Sequence, residues 1–306
     1  MAVYAIKRVA SALVTLFAVA TLTFFLMYLV PGGPFLAEKA PSPQTLKALE
    51  QKYGLDQPVT VQYGNYMKRL FFRLDLGTSL KMRGQEINDI IRGRFPISAK
   101  IGAMAVLVAV CVGIPLGSVA ALNRGRLLDR IIMFIATLGI AVPGFVVATV
   151  LMFTFGVKLH LLPTYGLTTP LHYILPVMAL SFYPTAYISR LMRSSMLDVL
   201  GQDYMRTARA KGISQFKSLF KHALRNAVLP IITYLGPMLA YILTGSFVVE
   251  KIFTIPGLGS QFISSITDRD YPLIMGTTIF LAFLLITMNV VVDIAYKIID
   301  PRIKLK

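Results

Sequence analysis

Six stretches without a charged residue decide what this chain can become. They are Val9–Val30, Ile101–Leu122, Ile131–Val157, Tyr173–Ser189, Asn226–Val249 and Tyr271–Val292. A helix that crosses the hydrocarbon core of a bilayer needs about 20 mostly apolar residues. The fourth run is the shortest, and Pro176 and Pro184 interrupt it. It is read as a span because leaving it out would put the two most basic loops on opposite sides of the membrane. Backbone groups in the core have no water to pair with, so the spans are expected to be helices. The first run exceeds a signal h-region and leads into Pro31-Gly32-Gly33-Pro34 without a convincing small-residue cleavage site. It reads as a retained anchor. The expected class is an all-α polytopic membrane protein with six transmembrane helices.

The placement of charge orients the chain. Lys7 and Arg8; Arg124, Arg126 and Arg130; Arg190 and Arg193; the basic stretch 203–230; and Lys297, Arg302, Lys304 and Lys306 all fall on one side. The short loops on the other side hold only Lys158, Lys251 and Arg269. An excess of Lys and Arg marks the cytoplasmic side, so both termini are expected in the cytoplasm. The net charge of +17 therefore belongs to the rim of a membrane protein. A nucleic-acid role would need interleaved aromatics on a soluble domain. The lone Cys111 excludes an internal disulfide and a cysteine metal site, and His160, His172 and His222 have no ligand-like spacing. No metal site is expected. The sequence holds neither a Gly-x-x-x-x-Gly-Lys-Ser/Thr phosphate loop nor a His-Glu-x-x-His pair. This chain is therefore expected to bind neither ATP nor Mg itself and to carry no cofactor.

Three regions follow: residues 1–30 with the first span, an external segment 31–96, and a core 97–306 with five spans. The external segment carries helix signals. Ser42-Pro43 opens a run that Gly54 closes. Asp56 and Pro58 open a second, with Tyr63, Tyr66, Met67, Leu70 and Phe71 on one face, and Gln85 to Arg92 reads as a third ending before Pro96. It is expected to be either a docking surface or a packing cap. Gly113, Pro115 and Gly117, Gly139, Pro143 and Gly144, and Gly236, Pro237 and Gly245 lie within spans, where they serve close packing or a flexing gate. No span has an unpaired charge near its middle, whereas ion-coupled carriers keep ionisable groups there. An intramembrane hydrolase is equally disfavoured, since Ser181 and Asp293 have no evident partner. Thr233, Tyr234, Tyr241, Thr244, Ser246, Thr278 and Asn289 are polar and uncharged, and they are expected either to line a translocation path or to join neighbouring helices.

The most basic stretch, Asp203 to Pro230, reads DYMRTARAKGISQFKSLFKHALRNAVLP. Tyr204 to Lys211 has no breaker and predicts a short helix. Gly212 suits the left-handed residue that ends it. Ser214 is placed to cap a second helix, on which Phe216, Leu219, Phe220, Ala223 and Ala227 recur at helical spacing. Pro230 falls in the first turn of the next helix, where proline is tolerated. A basic elbow of two helices results, and anionic lipid is one natural partner for it.

These residues resemble the cytoplasmic coupling loop of permease subunits of binding-protein-dependent ABC importers. In that family the loop is built around Glu-Ala-Ala, a glycine four residues on, and a later Leu-Pro. Here Arg206 and Thr207 stand in place of the glutamate and first alanine, while Ala208 and Gly212 fit and Leu229-Pro230 comes late. That variant resembles the peptide and nickel branch. So do PGGPF, KYGLDQPV, DLGTS, the loop from Thr244 to Pro272 and the terminal DPRIK. PGGPF above all favours the oligopeptide group and its B-type permease subunit, with dipeptides or nickel as alternatives. The resemblance implies a type I permease fold in the cytoplasmic (inner) cell membrane. It implies a second homologous permease subunit, two cytoplasmic ATPase subunits and an extracellular or periplasmic peptide-binding protein. Asp203, Arg206, Thr207, Ala208, Lys211, Gly212, Leu229 and Pro230 would then form the ATPase-coupling loop.

Overall fold

The computed structural model describes residues 2–30, 35, 42–82, 84–212, 214, 218–243 and 247–299. Among them the regular structure is helical, apart from one isolated bridge between Thr78 and Glu86. In chain order the helices are α1 (Ala2–Leu29), α2 (Pro43–Tyr53), α3 (Val59–Arg73), α4 (Ile87–Leu122), α5 (Leu127–Ala141), α6 (Gly144–Leu151), α7 (Ile174–Leu200), α8 (Asp203–Ala210), α9 (Leu229–Leu243), α10 (Phe247–Ile252), α11 (Leu258–Thr267) and α12 (Tyr271–Ile299). Shorter helical turns join some of them. Two compact units result: Met1–Ile97 with Gly257–Thr287, and Ser98–Pro256 with Met288–Lys306.

In the first unit the segment between the first two spans folds against α1. Ser42 caps α2 by accepting the Thr45 N–H at 3.2 Å, and Gly54 ends it in the left-handed region at φ 68°. The aromatic side of α3 meets α1: the Phe24 ring lies 5.4 Å from Tyr63 and 5.8 Å from Tyr66, and the Thr21 and Tyr63 hydroxyls are 2.9 Å apart. Tyr66 and Leu70 are buried there. These contacts are those of a packing cap. PGGPF lies outside the described residues except for Phe35. The expected third helix is corrected, because Gln85 and Glu86 are not helical and α4 runs unbroken from Ile87 through Pro96. Proline removes one backbone donor, and here the apolar run after Pro96 carries the helix across that loss. Buried Asp270 caps α12. It accepts from the Ser79 hydroxyl, from the Leu80 N–H at 3.1 Å and from the Leu273 N–H at 3.4 Å, which fastens the DLGTS loop to the start of the last span.

The second unit is arranged around α7, against which α5, α6 and α9 pack. The third apolar run is not one continuous span. It breaks at Val142-Pro143 into two helical halves bent by 106°. Proline disfavours the helical conformation in the residue before it, and Val142 is extended at φ −84°, ψ 126°. The second half widens into a π-helix over Met152–Lys158. Pro184 does not stop α7, which continues past Ser189 to Leu200. Small residues make these contacts close. A Cβ on Gly117 would lie 2.6 Å from the Cβ of Met192, and one on Gly139 would lie 2.6 Å from the Cβ of Ala186. Packing is therefore the reading the structure supports for these glycines. Among the described residues three helices, Arg8–Leu29, Ile87–Leu122 and Tyr271–Val291, are long and apolar enough to cross a membrane, and the bent pair raises this to as many as four.

Candidate functional site

The basic elbow folds as two pieces joined at Gly212. In α8 the Thr207 hydroxyl donates to the Asp203 carbonyl at 3.1 Å, and the Lys211 N–H closes the last turn on the Thr207 carbonyl at 3.0 Å. Gly212 then takes φ 73°, the left-handed conformation expected of it. Met205 is 1% exposed and anchors the helix, while Asp203, Arg206, Thr207 and Lys211 are exposed. Arg206 and Asp203 approach to 3.6 Å as a solvent-facing pair, a kind of contact that adds little stability. Ala208 lies in α8, but its side chain is outside the described residues, as are those of Phe216 and Phe220.

The second piece differs from the expected α-helix. Ser214 accepts the Ser218 N–H at 2.9 Å through its carbonyl, and Ser218–Leu224 is π-helical before one α-turn, Arg225–Ala227. The wider turn still buries Ser218, Ala223 and Ala227. The side-chain amide of Asn226 donates to the Tyr204 hydroxyl at 2.9 Å and ties the two pieces together. Leu229 opens α9 and Pro230 is its second residue, within the first turn, where no N–H is needed.

The elbow is the direct link between α7 and α9, and both helices present tyrosines. The Tyr187 and Tyr234 rings meet with centres 4.3 Å apart and planes tilted by 31°, and Tyr183 lies 6.3 Å from Tyr187. Tyr183 is 46% exposed, and Tyr241, two turns along α9 from Tyr234, is 77% exposed. Each ring carries an apolar body and a polar tip. Of the candidate lining residues, Tyr234 and Tyr241 thus belong to one aromatic face. Thr233 is exposed, and its hydroxyl bonds the Leu229 carbonyl at 3.1 Å. Thr278 belongs to the other unit, where its hydroxyl donates to the Ile274 carbonyl at 2.7 Å. Asn289 is exposed, and Thr244 and Ser246 lie outside the described residues. Sequence reasoning did not include Tyr183 and Tyr187. Their i, i+4 spacing, matched by the i, i+7 spacing of Tyr234 and Tyr241, is the signal that points to them.

Among the described residues no cluster of His, Cys, Asp or Glu is arranged to hold a metal ion.

Residues 113–305 match the family described as the binding-protein-dependent transport system inner membrane component, and residues 1–102 match its N-terminal membrane-component counterpart. The dipeptide transport system permease protein DppB of Bacillus subtilis is 49% identical over 305 residues, covering 100% of this chain and 99% of that protein. The oligopeptide transport system permease protein OppB of Haemophilus influenzae is 44% identical over 300 residues, 97% of this chain and 98% of that one. A chain of the inward-facing MetNI methionine ABC transporter shares the fold, with TM-score 0.56 and 15% identity over 69% of this chain and 97% of that one. An amino acid ABC transporter chain gives TM-score 0.52 and 17% identity over 71% and 95%. With both of its parts matched and full-length relatives at this identity, the chain belongs to the inner-membrane permease components of binding-protein-dependent transport systems, and it is a transport subunit, not an enzyme.

Proposed function

We propose that this chain is one of two permease subunits through which an ATP-driven importer passes short peptides into the cell. The observation that carries the reading is the connectivity of the elbow: it is covalently continuous with α7 on one side and α9 on the other, the helices that hold Tyr183, Tyr187 and Tyr234. A cytoplasmic ATPase bound to the exposed side chains of α8 would move the ends of both helices together. The 27 residues of α7 make a rod roughly 40 Å long at 1.5 Å per residue. Movement at the elbow would thus reach the tyrosine face, and alternating access would follow as ATP drives the two ATPases together. In this reading six spans cross the inner membrane with both termini in the cytoplasm, and an external peptide-binding protein delivers the substrate.

The tyrosines suit a peptide of variable sequence. Phenol hydroxyls bond to main-chain amides present in every peptide, and the rings accept apolar side chains without demanding one shape. Oligopeptides are the favoured substrate on the PGGPF signature. A dipeptide substrate is the second reading, favoured by the 49% identity to a relative named for dipeptide transport. Uptake of labelled di-, tri- and pentapeptides and of nickel in a strain lacking only this chain tests both. Loss of tri- and pentapeptide uptake is expected. Loss of dipeptide uptake alone would select the second reading, and loss of nickel uptake with peptides unaffected would overturn both.

A further inference from the structure

Between Ser181 and Leu200 the exposed side chains of α7 are Tyr183, Tyr187, Arg190, Ser194 and Asp198. They recur every three or four residues, so they form one stripe along the helix. Each of them carries a polar group. The other sides of α7 are covered. Arg193 donates to Asp129 of α5, and Ala186 lies against Gly139 of the same helix. Gly113 and Gly117 of α4 lie against Ile188 and Met192. The contact between Tyr187 and Tyr234 turns one edge of the stripe toward α9.

The neighbouring α5 exposes a different surface. From Ile131 to Leu138 its outward side chains are Ile131, Phe134, Ile135, Thr137 and Leu138. The Thr137 hydroxyl donates to the Met133 carbonyl at 2.8 Å, so the polar atom of that face is already paired. Such a face suits hydrocarbon. The α7 stripe does not, because Arg190 directly follows the uncharged run Tyr173–Ser189 and a guanidinium at the end of a span needs polar company. Arg193, one turn on, is committed to Asp129. Among the described residues Arg190 forms no ion pair. Asp198 shares the stripe but lies two turns farther along, roughly 12 Å by helical rise, too far to pair with it.

We propose that Arg190 receives the C-terminal carboxylate of the transported peptide, with Tyr187 and Tyr183 beside the residues that precede it. The proposal rests on the peptide reading above and adds to it an anchor and a direction. A guanidinium presents two parallel N–H donors that match the two oxygens of a carboxylate. A linear peptide carries that group whatever its side chains, so an anchor there holds the chain without reading its sequence. Spacing agrees. Tyr187 precedes Arg190 by about 4.5 Å of helical rise and Tyr183 by about 10.5 Å, while an extended peptide spans roughly 3.3–3.6 Å per residue. The stripe from Arg190 back to Tyr183 is therefore about three peptide residues long.

The test uses the purified transporter complex and a tripeptide whose C-terminal residue is the photoreactive p-benzoylphenylalanine with a free carboxylate. After photolysis, peptide mapping should place the label on α7 or α9 within a turn of Arg190. Arg190→Gln should lower that yield at least fivefold while copurifying with ATPase subunits as the wild type does, and Arg190→Lys should keep part of it. The C-terminal amide of the same tripeptide should label the wild type no better than the free acid labels Arg190→Gln. Thr137→Ala, on the aliphatic face of α5, should label as the wild type does. Equal labelling of wild type and Arg190→Gln by the free acid overturns the proposal, as does equal labelling of the wild type by acid and amide. Loss of the assembled complex in Arg190→Gln also overturns it, by assigning the guanidinium to a neighbouring subunit or a lipid. A label at Tyr183 that Arg190→Gln leaves unchanged removes the anchor alone, whereas no label on α7 or α9 removes the peptide path with it.

Discussion

Arg193 grips Asp129 with both prongs of its guanidinium, Nε to Oδ1 at 2.6 Å and Nη2 to Oδ2 at 2.7 Å. Asp129 is 3% exposed and also accepts the Gly125 N–H at 2.8 Å. The pair fastens the first turn of α5 to α7, seven residues before α7 ends. Removing one partner of such a pair strands the other charge, at a cost of about 3–5 kcal/mol when it is buried. Asp129→Ala and Arg193→Ala should each lower the thermal stability of the purified complex, and the double variant should recover part of the loss. Arg193→Lys should rescue incompletely, because an ammonium cannot reproduce the two-pronged contact. Additive losses in the double variant would show that the pair is not coupled.

Gly212 tests the elbow without disturbing a span. Nothing lies within 4 Å of where its Cβ would be, so the cost of a side chain there is conformational. At φ 73° a β-branched residue incurs about 1–3 kcal/mol of strain. Gly212→Val should reach the membrane at normal levels yet lose peptide uptake and copurify poorly with ATPase subunits, whereas Gly212→Asn, which tolerates this region, should be milder. Wild-type uptake by the valine variant would remove the elbow from the coupling path.

Gly117 fails for the opposite reason. Its backbone is ordinary, but an added methyl would meet Met192 at 2.6 Å. Gly117→Ala should therefore destabilise the second unit by about 1–3 kcal/mol through overpacking. Gly64→Ala, in α3 with open space around it, should be neutral or stabilising by up to about 1 kcal/mol. Melting temperatures of the two variants give the comparison.

Tyr187 is the middle ring of the three. Tyr187→Ala removes both ring contacts, each worth about 0.5–1.5 kcal/mol, and should raise the KM for peptide uptake roughly tenfold while ATPase copurification stays normal. Tyr187→Phe keeps the ring and should lose less. An unchanged KM in Tyr187→Ala would place the peptide path elsewhere.

Orientation is checked by reporter fusions. Fusions at Leu55 and Leu258 should read as external, and fusions at Ala210 and the C-terminus as cytoplasmic. An external signal at Ala210 would put the elbow beyond the reach of any ATPase.

Local chemistry made much of this chain legible from sequence. Ser42 and Gly54 bound α2, and Gly212 breaks the elbow, because capping and left-handed backbone depend on one residue and its immediate neighbours. The apolar runs marked α1, α4 and α12 because a bilayer demands length and apolarity, both of which can be counted. Prolines were less legible. Pro96 and Pro184 sit inside helices, whereas Pro143 breaks one by 106°. The residue is the same, and its surroundings decide whether the lost hydrogen bond bends the chain. Only the tertiary structure joined Asp129 to Arg193, Tyr187 to Tyr234 and Tyr204 to Asn226. These contacts close long loops, and spacing along one helix marks a face without fixing which residue on another helix it meets. The sequence by itself thus determined where α2 begins and ends, which stretches are apolar enough for a membrane and where the elbow turns. Which charges pair and which tyrosines share a face were decided by packing, because both depend on the rotation of one helix against another.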